Sequence, residues 1–205
     1  ELHAALSTTA TVASAADAAR WRDDAMDTLD TVIRLGHPGV VARRGEIEVL
    51  LSGLGGLAGT PVIEGHGDLH VGQVLCSRGR FVVTDFDGNP VLTAPERMLP
   101  IPAALDVAGM TQSLAHAAIV AAKYTALDPA TLAAVSAAGR TAFLTAYTRR
   151  LDTLGHGHLF DPAALGAFRA QQVLREIVYA ARHLPRWMYV PDAALPALLD
   201  EGTPT

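Results

Sequence analysis

Two short apolar runs, Val74-Leu75-Cys76 and Phe81-Val82-Val83-Thr84, flank the turn residues Ser77-Arg78-Gly79. They predict a β-hairpin with strands over residues 73–76 and 81–84. A further short β-type run at residues 60–63 precedes it. The long segments on either side carry the spacing of helices, so the hairpin signal fixes the fold class. Residues 15–35 repeat apolar side chains at Trp21, Ala25, Leu29, Val32 and Ile33, and Gly36-His37-Pro38-Gly39 stops the pattern. Residues 40–54 predict a second helix that runs into the glycines Gly53, Gly55 and Gly56. Four prolines make residues 89–102 irregular. Residues 107–124 are Ala-rich and apolar on most sides, which predicts a central buried helix. Asp128-Pro129 and Asp161-Pro162 each place a capping carboxylate before a proline at the first helical position. They open helices reaching about residues 154 and 183, and a last short helix follows at 193–200. The expectation is one domain over residues 1–205, mostly α with a small β-hairpin.

Composition narrows the function classes. The chain has 205 residues, 50% of them hydrophobic and 18% charged, which is ample for a sizeable core. A net charge of −5 with no basic stretch argues against a nucleic-acid partner. The longest apolar helical run, residues 114–122, is interrupted by His116 and is too short to span a bilayer, so no membrane partner is expected. A single cysteine, Cys76, excludes an intrachain disulfide and points to a reducing, cytoplasmic setting. Its apolar neighbours predict a buried thiol. The first residue is Glu1, and His3-Ala4-Ala5-Leu6 reads as the middle of a helix, so a fragment of a longer chain is expected.

The chemistry lies at the two ends of the hairpin. The stretch His66-Gly67-Asp68-Leu69-His70-Val71-Gly72-Gln73 leads into it, and Asp85-Phe86-Asp87-Gly88-Asn89-Pro90 leaves it. That layout lets carboxylates of both loops face one pocket. Such a pocket can hold a divalent metal and take a proton from a hydroxyl, the two tasks of a phosphoryl-transfer site. Asp68 is the candidate general base. Gln73 offers a neutral amide oxygen, a hard ligand suited to Mg²⁺. Asp85 ends an apolar run, where a charge needs a partner and a metal is the natural one. Asp87 reads equally as part of the site or as a cap of the Gly88-Asn89-Pro90 turn. His66 and His70 flank Asp68 without a third nearby ligand, so they read as loop-orienting hydrogen-bonders.

An Asp, an amide side chain at the fifth position after it, and an Asp beyond a hairpin resemble the HGDxxxxN and DF(D/E) loops of the aminoglycoside-phosphotransferase-like kinases. Gln73 stands where those kinases usually have Asn. HGDLHxGQ with DFDGNP resembles the branch of maltokinases and bacterial glucosamine kinases. So do the DVAGM segment at residues 106–110, Leu174-Arg175-Glu176-Ile177-Val178-Tyr179 and Arg186-Trp187. The resemblance runs from Leu2-His3 to about Leu199.

It implies a protein-kinase-like C-lobe whose partner is a missing N-terminal lobe with the phosphate loop and nucleotide lysine. It further implies ATP and Mg²⁺ as cofactors and phosphorylation of a sugar hydroxyl with Asp68 as base. DFDGNP rather than DFEGEP favours glucosamine to glucosamine 6-phosphate over maltose to maltose 1-phosphate. By the same resemblance Asp106 braces the catalytic loop, where an N-cap is the plainer reading. Glu176, Tyr179 and Trp187 would wall the sugar pocket, where otherwise one expects a solvated carboxylate and a core indole. Two other classes compete. The apolar strand followed by DxDG resembles a haloacid-dehalogenase-type phosphatase, but the helical chain after Asp106 lacks the required parallel sheet. A non-catalytic kinase-like binding module would have lost Asp68, Gln73 or Asp85, and all three are present.

Overall fold

The computed structural model describes residues 1–201. Helix α1 (Leu2–Leu6) and strand β1 (Thr11–Val12) lead into α2 (Ala15–Arg34). A capping box opens α2: Ser14 Oγ accepts the Asp17 N–H at 3.1 Å and the Asp17 carboxylate accepts the Ser14 N–H at 2.9 Å. The single helix expected at residues 40–54 is two, α3 (Pro38–Ala42) and α4 (Arg44–Ser52), with a 3₁₀ turn at Gly53–Leu57. Pro38 starts a helix, with His37 Nδ1 accepting the Val40 N–H at 3.3 Å as its cap. The break falls at Arg43, whose backbone leaves the helical region at φ −115°, ψ 22°. Its guanidinium is bonded to Glu46 and Asp200, each at 2.6 Å.

Strand β2 (Pro61–Val62) pairs antiparallel with β1, Thr11 opposite Val62. Ile63 and Ile101 then exchange backbone hydrogen bonds at 3.0 and 2.8 Å. Strands β3 (Val74–Ser77) and β4 (Arg80–Val83) form the expected hairpin, with Val74 opposite Val83. Arg78 and Gly79 both have positive φ, 52° and 74°, the turn that matches strand twist. The hairpin stands off the helical body, so Leu75, Phe81 and Val82 are exposed. Cys76 is exposed too, against the expectation of a buried thiol. An apolar run of this length is buried only if something packs on it, and within the described residues nothing does.

A short helix, α5 (Ala94–Arg97), interrupts the proline-rich stretch. The helix α6 (Ala103–Tyr124) is buried mainly over its first half; beyond it His116 is buried, while Tyr124 is 72% exposed. The helix packs on α7 (Pro129–Thr153) as well as on the last two helices, and α7 itself buries only Leu151. A 3₁₀ turn at Pro162–Ala164 precedes α8 (Leu165–His183). The last helix, α9 (Tyr189–Asp200), starts four residues before the expected 193 because Pro191 falls in its first turn, where no N–H is needed. No helix is long and apolar enough to cross a membrane among the described residues.

Helix α8 is the centre of the core. Its Val173, Leu174 and Ile177 join Leu29 of α2, Ile47 and Leu51 of α4, and Leu195 of α9, all fully buried. Leu174→Ala should cost about 2–5 kcal/mol in a urea titration, the range for emptying a leucine site that cannot collapse.

Candidate active site

The site is assembled around one buried carboxylate. Asp106, in the first turn of α6, is fully buried. Its Oδ2 accepts the His66 N–H at 2.8 Å and its Oδ1 accepts the Gly67 N–H at 2.9 Å. The N-cap of α6 is Pro102, so the cap reading of Asp106 does not hold. Two backbone donors immediately before Asp68 therefore converge on one charge.

Close approaches explain the glycines. Gly67 has φ 77°, and a Cβ there would lie 3.3 Å from Gly88 Cα, where the two acidic loops touch. A Cβ on Gly109 of α6 would lie 2.5 Å from the Leu69 carbonyl oxygen. Gly109→Ala should push the loop off the helix. A loss of about 1–3 kcal/mol in chemical denaturation, as for an overpacked core, is the expected result.

His66 links the loops. Its Nδ1 accepts the Asp68 N–H at 3.3 Å, so Nε2 carries the proton and donates to the Thr84 carbonyl at 2.9 Å. Its ring lies 4.9 Å from that of Phe86. His70 Nδ1 accepts the Gly72 N–H at 3.1 Å, and its carbonyl accepts the Gln73 N–H at 3.0 Å. Ser113 of α6 accepts the Val71 N–H at 3.0 Å.

Asp68 is half-buried between these anchors. Burial pushes its carboxyl up from the ordinary 3.8, and the neighbouring His70 and His66 partly oppose that. Gln73 Nε2 donates to Asp85 Oδ2 at 2.8 Å. Strand β4 ends at Val83, so Asp85 sits on the bend beyond it. It adopts φ 65°, a left-handed conformation for a residue with a side chain, and such strain gathers at functional sites. Asp87 is exposed; its carbonyl accepts from Arg97 Nη1 at 3.3 Å, while Asn89 Oδ1 caps the turn through the Val91 N–H at 3.0 Å.

No group of three or more His, Cys, Asp or Glu that could hold a metal occurs among the described residues. Mg²⁺ commonly needs only one or two carboxylates, completing its shell with water and phosphate oxygens. Asp85 with the Gln73 amide fits that donor set once the amide turns its Oε1 inward.

Glu176 on α8 lies in a second polar cluster. Gln172 donates to its Oε1 at 3.0 Å, while its Oε2 is buried without a hydrogen-bond partner, 3.3 Å from His116 Nε2. Arg169 Nε donates to Gln112 Oε1 at 3.2 Å, so Gln112 presents its N–H₂ to His116 Nε2 at 3.0 Å. That makes His116 Nε2 an acceptor. Burial pushes Glu176 up to about 7, opposed by the Gln172 bond, and pushes His116 down to about 4, with Arg169 adding to it. Arg175, next to Glu176, is half-buried. Burial pushes its pKa down, and the Asp24 and Asp68 charges within its reach push it back up. The middle of α8 is therefore within reach of the charge on Asp68. Tyr179 is exposed with its ring 5.3 Å from His183, and Trp187 is half-buried with its ring 6.0 Å from Tyr189.

Gln112, His116, Arg169 and Arg175 escape the sequence reading. Besides Glu176 itself, the trace of the cluster is the histidine interrupting an otherwise apolar helical run.

No family model matches the chain. It is 65% identical over 209 residues to a glucosamine kinase of Mycolicibacterium smegmatis, covering 100% of this chain and 52% of that protein. It is 45% identical over 207 residues to a glucosamine kinase of Streptacidiphilus jiangxiensis, covering 98% of this chain and 47% of that one. A glucosamine kinase solved with glucosamine, ADP and inorganic phosphate superposes with a TM-score of 0.92 at 45% identity, over 96% of this chain and 48% of the other. A second glucosamine kinase crystal form gives a TM-score of 0.94 at 44% identity, over 98% and 50%. The chain spans about half the length of the curated relatives it matches.

Proposed function

We propose that this chain is the C-terminal lobe, a single domain over residues 1–205, of a cytoplasmic kinase that transfers the γ-phosphoryl group of ATP to the 6-hydroxyl of glucosamine. The observation that carries this reading is the meeting of the two acidic loops. Asp106 fixes the backbone before Asp68, His66 ties that loop to Thr84, and Gln73 reaches Asp85 at 2.8 Å. Similarity to glucosamine kinases along the whole chain supports it, as does the relative solved with glucosamine, ADP and phosphate.

Asp68 accepts a hydrogen bond from the acceptor hydroxyl and takes its proton as the phosphoryl group departs from ADP. Gln73 and Asp85 would hold Mg²⁺, which would neutralise charge on the nucleotide phosphates. The phosphate loop and nucleotide lysine belong to an upstream lobe. The isolated chain should therefore bind Mg·ATP too weakly for calorimetry at micromolar concentration and turn nothing over. Micromolar affinity from residues 1–205 alone would move the nucleotide site into this chain.

Glu176 reads the amine, with Trp187 and Tyr179 walling the sugar. The support is Oε2, a buried acceptor without a hydrogen-bond partner that an ammonium would satisfy. A hydrogen bond to a charged group contributes about 1.5–3 kcal/mol, so Glu176→Gln should lower kcat/KM for glucosamine about tenfold or more. KM for ATP and turnover of glucose should not move. Equal losses on glucosamine and glucose would shift the amine contact to Asp87.

The carboxyl is pushed up to about 7, so it is neutral below that pH and charged above it. Activity towards glucosamine should accordingly rise as pH passes through about 7, until the sugar ammonium loses its own proton. The same shift makes the folded state bind the extra proton, so this group's stabilisation is lost as pH rises through about 7. The deciding experiment runs the intact protein with Mg·ATP against glucosamine, glucose, N-acetylglucosamine and maltose. Maltose as the better acceptor would overturn the assignment.

A further inference from the structure

Helix α1 buries one side chain, His3, and it is only 2% exposed. Its Nε2 lies 3.1 Å from Asp106 Oδ2, and its Nδ1 lies 2.7 Å from the Tyr147 hydroxyl on α7. We propose that His3 is a positioning residue for Asp68: with Tyr147 it forms a buried relay that holds Asp106, and through it the loop carrying the base, in register. This rests on the reading of Asp68 as the base.

The proton positions follow from the partners. Burial, with the Asp106 charge adding to it, pushes the Tyr147 phenol up, so its O–H stays protonated and donates to His3 Nδ1. That leaves the proton of a neutral imidazole on Nε2, aimed at Asp106 Oδ2. The Tyr147 ring is held edge-on by Phe160 at 5.1 Å and stacked on Phe143 at 6.1 Å, so its hydroxyl has little freedom to follow a moving histidine. Asp106 Oδ2 then accepts from both His3 and the His66 N–H, while Oδ1 takes the Gly67 N–H. Among the described residues His3 is the side-chain donor to this buried carboxylate, and the two loop amides are its other donors. Without His3 the carboxylate can turn, and that loosens the amides next to Asp68. His66 also holds the Thr84 carbonyl, so the loss passes to the second acidic loop. The bland alternative is a core histidine that only fills space, and it predicts a different pattern of effects.

The test uses the intact parent protein with Mg·ATP and glucosamine. His3→Leu keeps the bulk and removes both hydrogen bonds. Its kcat should fall about 10- to 100-fold, the scale of a reacting group misplaced by an ångström, with both KM values little changed. His3→Gln should recover most of the loss, because its Nε2–H₂ can donate to Asp106 while its Oε1 accepts from Tyr147. Tyr147→Phe should lower kcat by a smaller factor without touching Asp106, and it decides the matter if His3→Leu does not fold. A folded His3→Leu with kcat within about twofold of wild type overturns the proposal, as does a His3→Gln that is no better than leucine. If the wild-type protein itself fails on glucosamine, the parent reading is what has failed. Amide hydrogen exchange at His66 and Gly67 then judges the relay by itself: protection lost in His3→Leu and kept in His3→Gln supports it, and equal protection in all three proteins overturns it.

Discussion

Asp68→Asn in the intact protein should lower kcat for glucosamine by about 10²- to 10⁴-fold, the range for losing a general base, and leave the fold in place. The substitution keeps size and hydrogen-bonding shape and removes only the ability to take a proton. Asp68 is half-buried, and burial already disfavours its charge, so neutralising it should not destabilise the loop. The backbone bonds that hold the loop belong to its neighbours: Asp106 takes the His66 and Gly67 amides, and His66 takes that of Asp68. Circular dichroism and a thermal melt should therefore match wild type while turnover collapses. Near-normal turnover in this variant would remove Asp68 from the role of base.

Local chemistry was legible in the sequence, and distant pairing was not. Asp128-Pro129 and Asp161-Pro162 marked helix starts because a cap and a fixed φ act within a few residues. The hairpin was legible for the same reason, although its pairing runs Val74 to Ser77 against Arg80 to Val83, one residue off the expected strands. Strand β1 was missed because two residues carry no period. What makes them a strand is Pro61–Val62, some fifty positions away. Cys76 was misplaced because an apolar run says what can be buried and not what covers it. In the site, the residue types at 68, 73 and 85 suggested two carboxylates and an amide facing one pocket, and the fold brings Gln73 and Asp85 into contact. His3 and Asp106 stand 103 positions apart, and no pattern in either segment points to the other.

Asp106 should behave in the opposite way to Asp68. Asp106→Ala leaves the His66 N–H, the Gly67 N–H and His3 Nε2 facing an empty, fully buried space. Leaving a buried donor without its acceptor costs about 1–3 kcal/mol, and with three donors left, denaturant titration of the intact protein should show a loss of at least about 3 kcal/mol. Asp106→Asn should recover less than half of it. One amide oxygen can still serve Gly67, but the N–H₂ then meets the donors of His66 and His3 head-on. A loss below about 1 kcal/mol in the alanine variant would mean that the loop holds its shape unaided and that the carboxylate is a bystander. With Asp68 as the proposed base, catalysis should fall with Asp106 as well, since Asp68 follows the amides that this carboxylate grips. On the proposed reading of Asp68 as the base, two carboxylates 38 positions apart in the sequence divide one task, Asp68 losing rate without stability and Asp106 losing both, because the chemistry would need a proton acceptor open to substrate and its alignment a charge sealed from water.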